Sequence, residues 1–201
     1  MTDPLWYRAG AQVAAPINHR AAQFGDGLFE TMRCDLHGQL PLWCWHRQRL
    51  QRGLVALDFP ISTLSDIDQS LSHYLKQSAP CQGIKLLLSR GEGGRGYGYD
   101  STMQPLLMLQ SFTLPALSLS PLVITISDVT LAYQPLLAGI KHLNRLEQVL
   151  ARGRLQKPWD DCLLLDADGH VVESSAGNVF ACFDGQWLTP ALSRCGVEGI
   201  A

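Results

Sequence analysis

The stretch Ile84–Pro121, IKLLLSRGEGGRGYGYDSTMQPLLMLQSFTLPALSLSP, decides how the chain divides. Two short apolar runs, IKLLLSR (Ile84–Arg90) and PLLMLQSF (Pro105–Phe112), have the length of core strands. Between them GEGGRGYGYDSTMQ is rich in glycine and predicts a loop. After them LPALSLSP (Leu114–Pro121), with two prolines and alternating serines, predicts a linker. The chain therefore reads as a lobe over 1–113, a linker over 114–121 and a second lobe over 122–201.

Both lobes mix helix with sheet. In WCWHRQRLQRGLVAL (Trp43–Leu57), Leu50, Leu54 and Leu57 recur at helical spacing, and Arg49 borders that face. Ser65–Gln77 repeats the pattern through Ile67, Leu71, Tyr74 and Leu75, opened by Ser62 and Ser65 with Asp66 and Asp68 in the first turn. Beyond the linker, LVITISD (Leu122–Asp128) predicts a strand. HLNRLEQVLARGRLQ (His142–Gln156) predicts a helix with Leu143, Leu146, Val149 and Leu150 on one face. CLLLDADGHVVE predicts a hairpin turning over Asp166–Gly169, and NVFACFDGQWLTP a second one turning at Asp184–Gly185. The fold class is α+β, with no internal repeat.

The 201 residues are 46% hydrophobic and 17% charged, enough to bury ~70% of the unfolded surface. A formal net charge of −2 gives no reason to expect nucleic acid or an anionic membrane as partner. The opening MTDPLWYRAGAQ lacks a basic-then-apolar leader, so the expectation is a cytoplasmic protein without a membrane span. Six cysteines without CxxC spacing predict reduced, mostly buried thiols, and neither they nor the six histidines predict a metal site.

Of the four lysines, Lys141 stands apart, following the apolar LLAGI and preceding the expected helix. A partly desolvated amine there has a lowered pKa and suits a nucleophile or base; the plainer reading is the start of an amphipathic helix. The loop GEGGRGYG lacks the Gly-Lys-Ser/Thr ending of a phosphate-binding P-loop.

GIKHLNRLEQVLAR (Gly139–Arg152) resembles the lysine motif of the 4-amino-4-deoxychorismate lyases, within the class-IV pyridoxal-phosphate-dependent aminotransferase family. RAAQFGDGLFETMR (Arg20–Arg33), WHRQRL (Trp45–Leu50), LLLSRGEGGRGY (Leu86–Tyr97), VVESSAGNVF (Val171–Phe180) and GVEGI (Gly196–Ile200) resemble further family segments in the same order. The resemblance implies a two-lobed fold like that of D-amino-acid aminotransferase. The family continues past GVEGI, so the second lobe is expected to be incomplete relative to it.

By resemblance, Lys141 forms the internal aldimine with pyridoxal 5'-phosphate and then acts as proton-transfer base. Glu173 pairs with the pyridine nitrogen, Arg49 binds the phosphate with its planar fork, and Gly199 and Ile200 offer backbone N–H groups to it. Asn144 approaches the cofactor's phenolic oxygen. Thr31 assists proton transfer, and Arg95 with Tyr97 meets the substrate's carboxylates. The implied reaction is a lyase step in folate biosynthesis, converting 4-amino-4-deoxychorismate to 4-aminobenzoate and pyruvate, in a homodimer acting on a small molecule. Two rivals stand beside it: a class-IV aminotransferase of D-amino-acid or branched-chain type, and a catalytically impaired remnant serving as a binding or dimerisation module. Glu198, a negative charge in the phosphate-facing turn, favours the last.

Overall fold

A computed structural model describes residues 1–16, 18–78, 81–93, 96–116 and 120–200. The chain forms two compact units. The first comprises Met1–Pro115 and Lys141–Asn144; the second comprises Ala116–Ile140 and Arg145–Ala201. The division falls inside the expected linker, of which 117–119 lie outside the described residues. Residues 141–144 differ from the expected continuous second lobe, because their backbone pairs with a strand of the first unit.

In the first unit, β1 (Leu5–Arg8), β2 (Ala11–Val13), β3 (Gly27–Arg33), β4 (Gly83–Ser89) and β5 (Leu106–Phe112) form one sheet, ordered β2-β1-β5-β4-β3. All its neighbours are antiparallel, and the β3–β4 register runs from Gly27 opposite Ser89 to Arg33 opposite Gly83. A short helix α1 (Arg20–Phe24) precedes β3. The predicted helices are present as α2 (Trp43–Ala56) and α3 (Thr63–Gln77). α2 ends ahead of Asp58, whose φ of +52° is left-handed, and Pro60, which cannot continue a helix.

Alternation along β3 turns Leu28, Glu30 and Met32 inward, with Leu86, Leu88 and Ile84 doing the same from β4. α2 packs on β3 and α3 on β5, each leucine so enclosed contributing about 2 kcal/mol. The approach of α2 is close: a Cβ on Gly53 would lie 2.7 Å from Cδ1 of Leu28. The opposite face of the sheet carries Phe29, Thr31 and Lys85, the last two directly opposed and exposed.

The second unit is built on β6 (Ile124–Leu131), β7 (Asp161–Asp166) and β8 (Val171–Ser174). β6 and β7 are parallel, so the chain must cross over between them, and α4 (Leu146–Gly153) lies in that crossover. β7 and β8 form the predicted hairpin, and β9 (Ala181–Phe183) pairs β10 (Gln186–Leu188) across Asp184–Gly185. The core is small: Leu131, Ala151, Cys162, Leu164 and Val172.

Two sequence expectations change here. The helix expected from His142 starts only at Leu146, because the backbone before it is bridged to β3 through His142. Its apolar stripe is also not its buried face: Leu146, Val149 and Leu150 are exposed, while Ala151 enters the core. The cysteines are all free thiols as expected, but only Cys34 and Cys162 are buried; Cys44 and Cys182 are exposed. No helix among the described residues is long and apolar enough to cross a membrane.

Candidate active site

Lys141 belongs to a short segment bridged to the outer edge of β3 in the first unit. The Phe29 N–H donates to the Lys141 carbonyl at 2.9 Å, the Leu143 N–H to that of Gly27 at 3.0 Å, and Leu28 opposes His142. These bonds engage the outer edge of β3 at Gly27 and Phe29, which explains why 141–144 bridge to the strand rather than joining the helix. A side chain at position 27 would block the arrangement, since its Cβ would stand 1.9 Å from the Leu88 carbonyl oxygen and 2.8 Å from Cδ1 of Leu143.

This pairing aims the lysine. Residues opposed across a ladder share a face, so Lys141 emerges beside Phe29, its Nζ 4.5 Å from the ring centroid. Thr31, two residues along β3, is on the same face. The amine and the hydroxyl expected to serve proton transfer thus stand on the side of the sheet away from α2 and α3.

Arg49 lies on the other side, 5% exposed and inside a cluster of buried charge. Its Nε donates to Oε1 of Glu30 at 2.8 Å and its Nη2 to Oε2, which also accepts from Nδ1 of His46 at 2.8 Å. Burial pushes the Glu30 carboxyl up, but the hydrogen bonds from Arg49 and His46 outweigh it, and the group stays below the usual carboxylate range. Asn144 directs Nδ2 to the Gly25 carbonyl at 3.3 Å. Tyr97 has an exposed side chain, stacked edge-on with Phe24 at 5.2 Å; Arg95 lies outside the described residues.

Arg20 anchors the second half of the glycine-rich loop. Its guanidinium donates to the carbonyls of Gly96, Tyr97 and Gly98, and its Nε to Asp26 at 2.7 Å. Arg90 grips the same Asp26 carboxylate and lies over the rings of Phe59 and Tyr99. Arg20 and Arg90 are both almost fully buried.

In the second unit Glu173 is 5% exposed, near the end of β8. Oε1 accepts from Nε2 of Gln148 and Oε2 from the Val197 N–H, each at 2.8 Å. The turn carrying Val197 is tied in turn to Gly139, which exchanges backbone bonds with Gly196 and Glu198. A Cβ on Gly199 would lie 2.0 Å from Oδ1 of Asn178 and would displace that side chain from its hydrogen bond to the Val197 carbonyl. Ile200 is half-buried, and Glu198 is exposed with its carboxylate turned toward Gly139. Among the described residues no group of His, Cys, Asp or Glu is placed to hold a metal.

Sequence reasoning missed Glu30, Asp26, Arg20 and Gln148. The first had a signal, a carboxylate at an inward position of an alternating strand; the others are polar letters whose partners are set only by the folded chain.

The chain belongs to the class IV amino-transferase family, whose model matches residues 27–201. It is 34% identical to the aminodeoxychorismate lyase of Vibrio harveyi, over 98% of this chain and 73% of that protein. The solved 4-amino-4-deoxychorismate lyase of Pseudomonas aeruginosa superposes with a TM-score of 0.86 at 35% identity, over 98% of this chain and 74% of that one. The branched-chain amino acid aminotransferase of Escherichia coli shares the fold, with a TM-score of 0.79 at 19% identity over 99% and 70%.

Proposed function

We propose that the protein is a pyridoxal-phosphate-dependent lyase that converts 4-amino-4-deoxychorismate to 4-aminobenzoate and pyruvate, a step toward folate. The observation that carries this reading is the likeness to two aminodeoxychorismate lyases at 34–35% identity, extending over 98% of the chain and so through both Lys141 and Glu173.

The donor set fits the cofactor. Lys141 supplies the primary amine that a carbonyl requires. Each oxygen of Glu173 accepts one hydrogen bond among the described residues, which leaves a carboxylate room for a further donor such as a pyridinium N–H. Gly199 and Ile200 offer backbone N–H groups suited to phosphate, and the family resemblance adds the planar cation of Arg49, which Glu30 holds on the face of the sheet opposite Lys141. When bound, pyridoxal phosphate supplies an electron sink for negative charge at the carbon bearing the substrate's amine.

The chain's own residues do the rest. Lys141 removes the proton from the amine-bearing ring carbon, and Thr31, on the same face of the sheet, assists that transfer. Glu173 holds the proton on the pyridine nitrogen. The bond between the ring carbon and the enolpyruvyl ether oxygen breaks as the ring becomes aromatic, and the departing enolate takes up one proton on its methylene carbon to leave as pyruvate. No amino acceptor is consumed. Tyr97 and Arg95 meet the substrate carboxylates, Asn144 assists at the phenolic oxygen, and the active species is a homodimer.

Incubation with 4-amino-4-deoxychorismate and no keto acid tests the reading, with equimolar 4-aminobenzoate and pyruvate expected. The likeness to the E. coli aminotransferase supports one alternative; turnover that appears only when a keto acid is added favours it and contradicts the lyase.

A further inference from the structure

All six thiols are free, and the reaction above uses none of them. Two of them meet in the first unit: Sγ of Cys34 and Sγ of Cys81 are 3.5 Å apart, either able to donate to the other. The backbone brings them there. Cys34 follows β3, and its N–H donates to the Gln82 carbonyl at 2.9 Å, one residue beyond the pairing of Arg33 with Gly83. Cys81 adjoins Gln82, so both thiols sit on chain segments already held together. A disulfide needs the sulfurs to close by only about 1.5 Å more.

The two thiols differ in access, Cys34 being buried and Cys81 half-buried. Burial, and then the neighbouring sulfur, push Cys34 up to about 12, so it is not the thiol that meets an oxidant first. We propose that Cys34 and Cys81 are a redox-active pair, in which a peroxide oxidises Cys81 and Cys34 resolves the product as an intramolecular disulfide. One peroxide oxygen passes to Cys81, giving a sulfenic acid and one water. The Cys34 sulfur then attacks that of Cys81: the S–S bond forms, the S–O bond breaks, and the Cys34 proton leaves with the hydroxyl as a second water. Two thiols are oxidised and one O–O bond is reduced. Contact between the sulfurs makes the second step intramolecular, which offsets the small thiolate fraction of Cys34. The bridge closes the chain around α2 and α3, which both lie between residues 34 and 81, and stabilises the fold by restricting the unfolded chain. It also withholds Cys81 from irreversible oxidation to the sulfinic acid.

The test treats the full chain with hydrogen peroxide until exposed Cys44 and Cys182 are oxidised, then digests it without reduction. Peptide mass is expected to show Cys34 joined to Cys81 with the loss of two hydrogens, and both thiols recovered on adding dithiothreitol. The melting temperature is expected to rise by about 5 °C on oxidation and to fall back on reduction. In Cys34→Ala the same treatment carries Cys81 to the sulfinic acid, dithiothreitol does not restore it, and the rise is absent. Recovery of both residues as free thiols in the oxidised wild type overturns the proposal. So does Cys81 found as sulfinic acid there, or joined to a cysteine other than Cys34. A Cys34–Cys81 bridge without the rise in melting temperature overturns the stabilising role alone.

Discussion

The backbone N–H of Val197 donates to Oε2 of Glu173 at 2.8 Å. That bond ties the turn bearing Gly199 and Ile200 to the end of β8. Val197 also bridges Gly139, two residues before Lys141. One buried carboxylate thereby orders the turn and the chain leading into the lysine segment.

Replacing Glu173 by Ala leaves the Val197 N–H and the Gln148 amide without their acceptor. The expected cost is about 2 kcal/mol or more in urea unfolding. Glu173→Gln retains one acceptor oxygen and loses about 1 kcal/mol. Its catalytic effect is larger, a fall of about a hundredfold in kcat while pyridoxal phosphate still binds, because a neutral amide does not hold a proton on the pyridine nitrogen.

Acid weakens the first unit through Glu30. Its carboxyl is depressed in the folded chain, so its stabilisation is complete above the unfolded value and is lost as pH falls through the folded one. Unfolding free energies measured from neutral pH to about pH 3 decline in the wild type. Glu30→Gln declines less steeply, with Asp100, Asp161 and Asp166, which are also depressed, contributing to the remaining slope.

The cysteines differ in reactivity. Burial, and then the Cys81 thiol 3.5 Å away, push Cys34 up to about 12. Iodoacetamide at about pH 8 is expected to modify exposed Cys44 and Cys182 first and to spare Cys34 in the native protein, as read by peptide mass.

Arg20→Ala removes the group that holds the carbonyls of Gly96, Tyr97 and Gly98 and leaves Asp26 to Arg90 alone. Breaking that buried pair is expected to cost about 3 kcal/mol. Limited proteolysis then cuts at 96–100 in the variant under conditions that leave the wild type intact.

Periodicity made α2, α3 and both hairpins of the second unit legible, because each shows its buried face or its turn chemistry within a dozen letters. It failed at His142–Asn144, where local letters favour a helix but the unpaired edge of β3 takes the backbone. It failed again at Leu146, Val149 and Leu150, since a stripe does not say whether anything covers it. β1 and β2 are too short to announce themselves. For the candidate site, the resemblance of ordered motifs identified Lys141, Glu173 and Arg49 as residues of interest. Their supports, Gln148, Val197, Glu30 and His46, are contacts between distant segments that no spacing encodes.

The central claim is that the Lys141 amine is the reactive group of a pyridoxal-phosphate site. Borohydride reduction after incubation with the cofactor, followed by peptide mass analysis, tests it most directly. The account predicts a visible absorption band that disappears on reduction, with the pyridoxyl mass on the peptide containing Lys141 and none in Lys141→Ala. A protein that takes up no pyridoxal phosphate, or carries the label on Lys76, Lys85 or Lys157 instead, contradicts it.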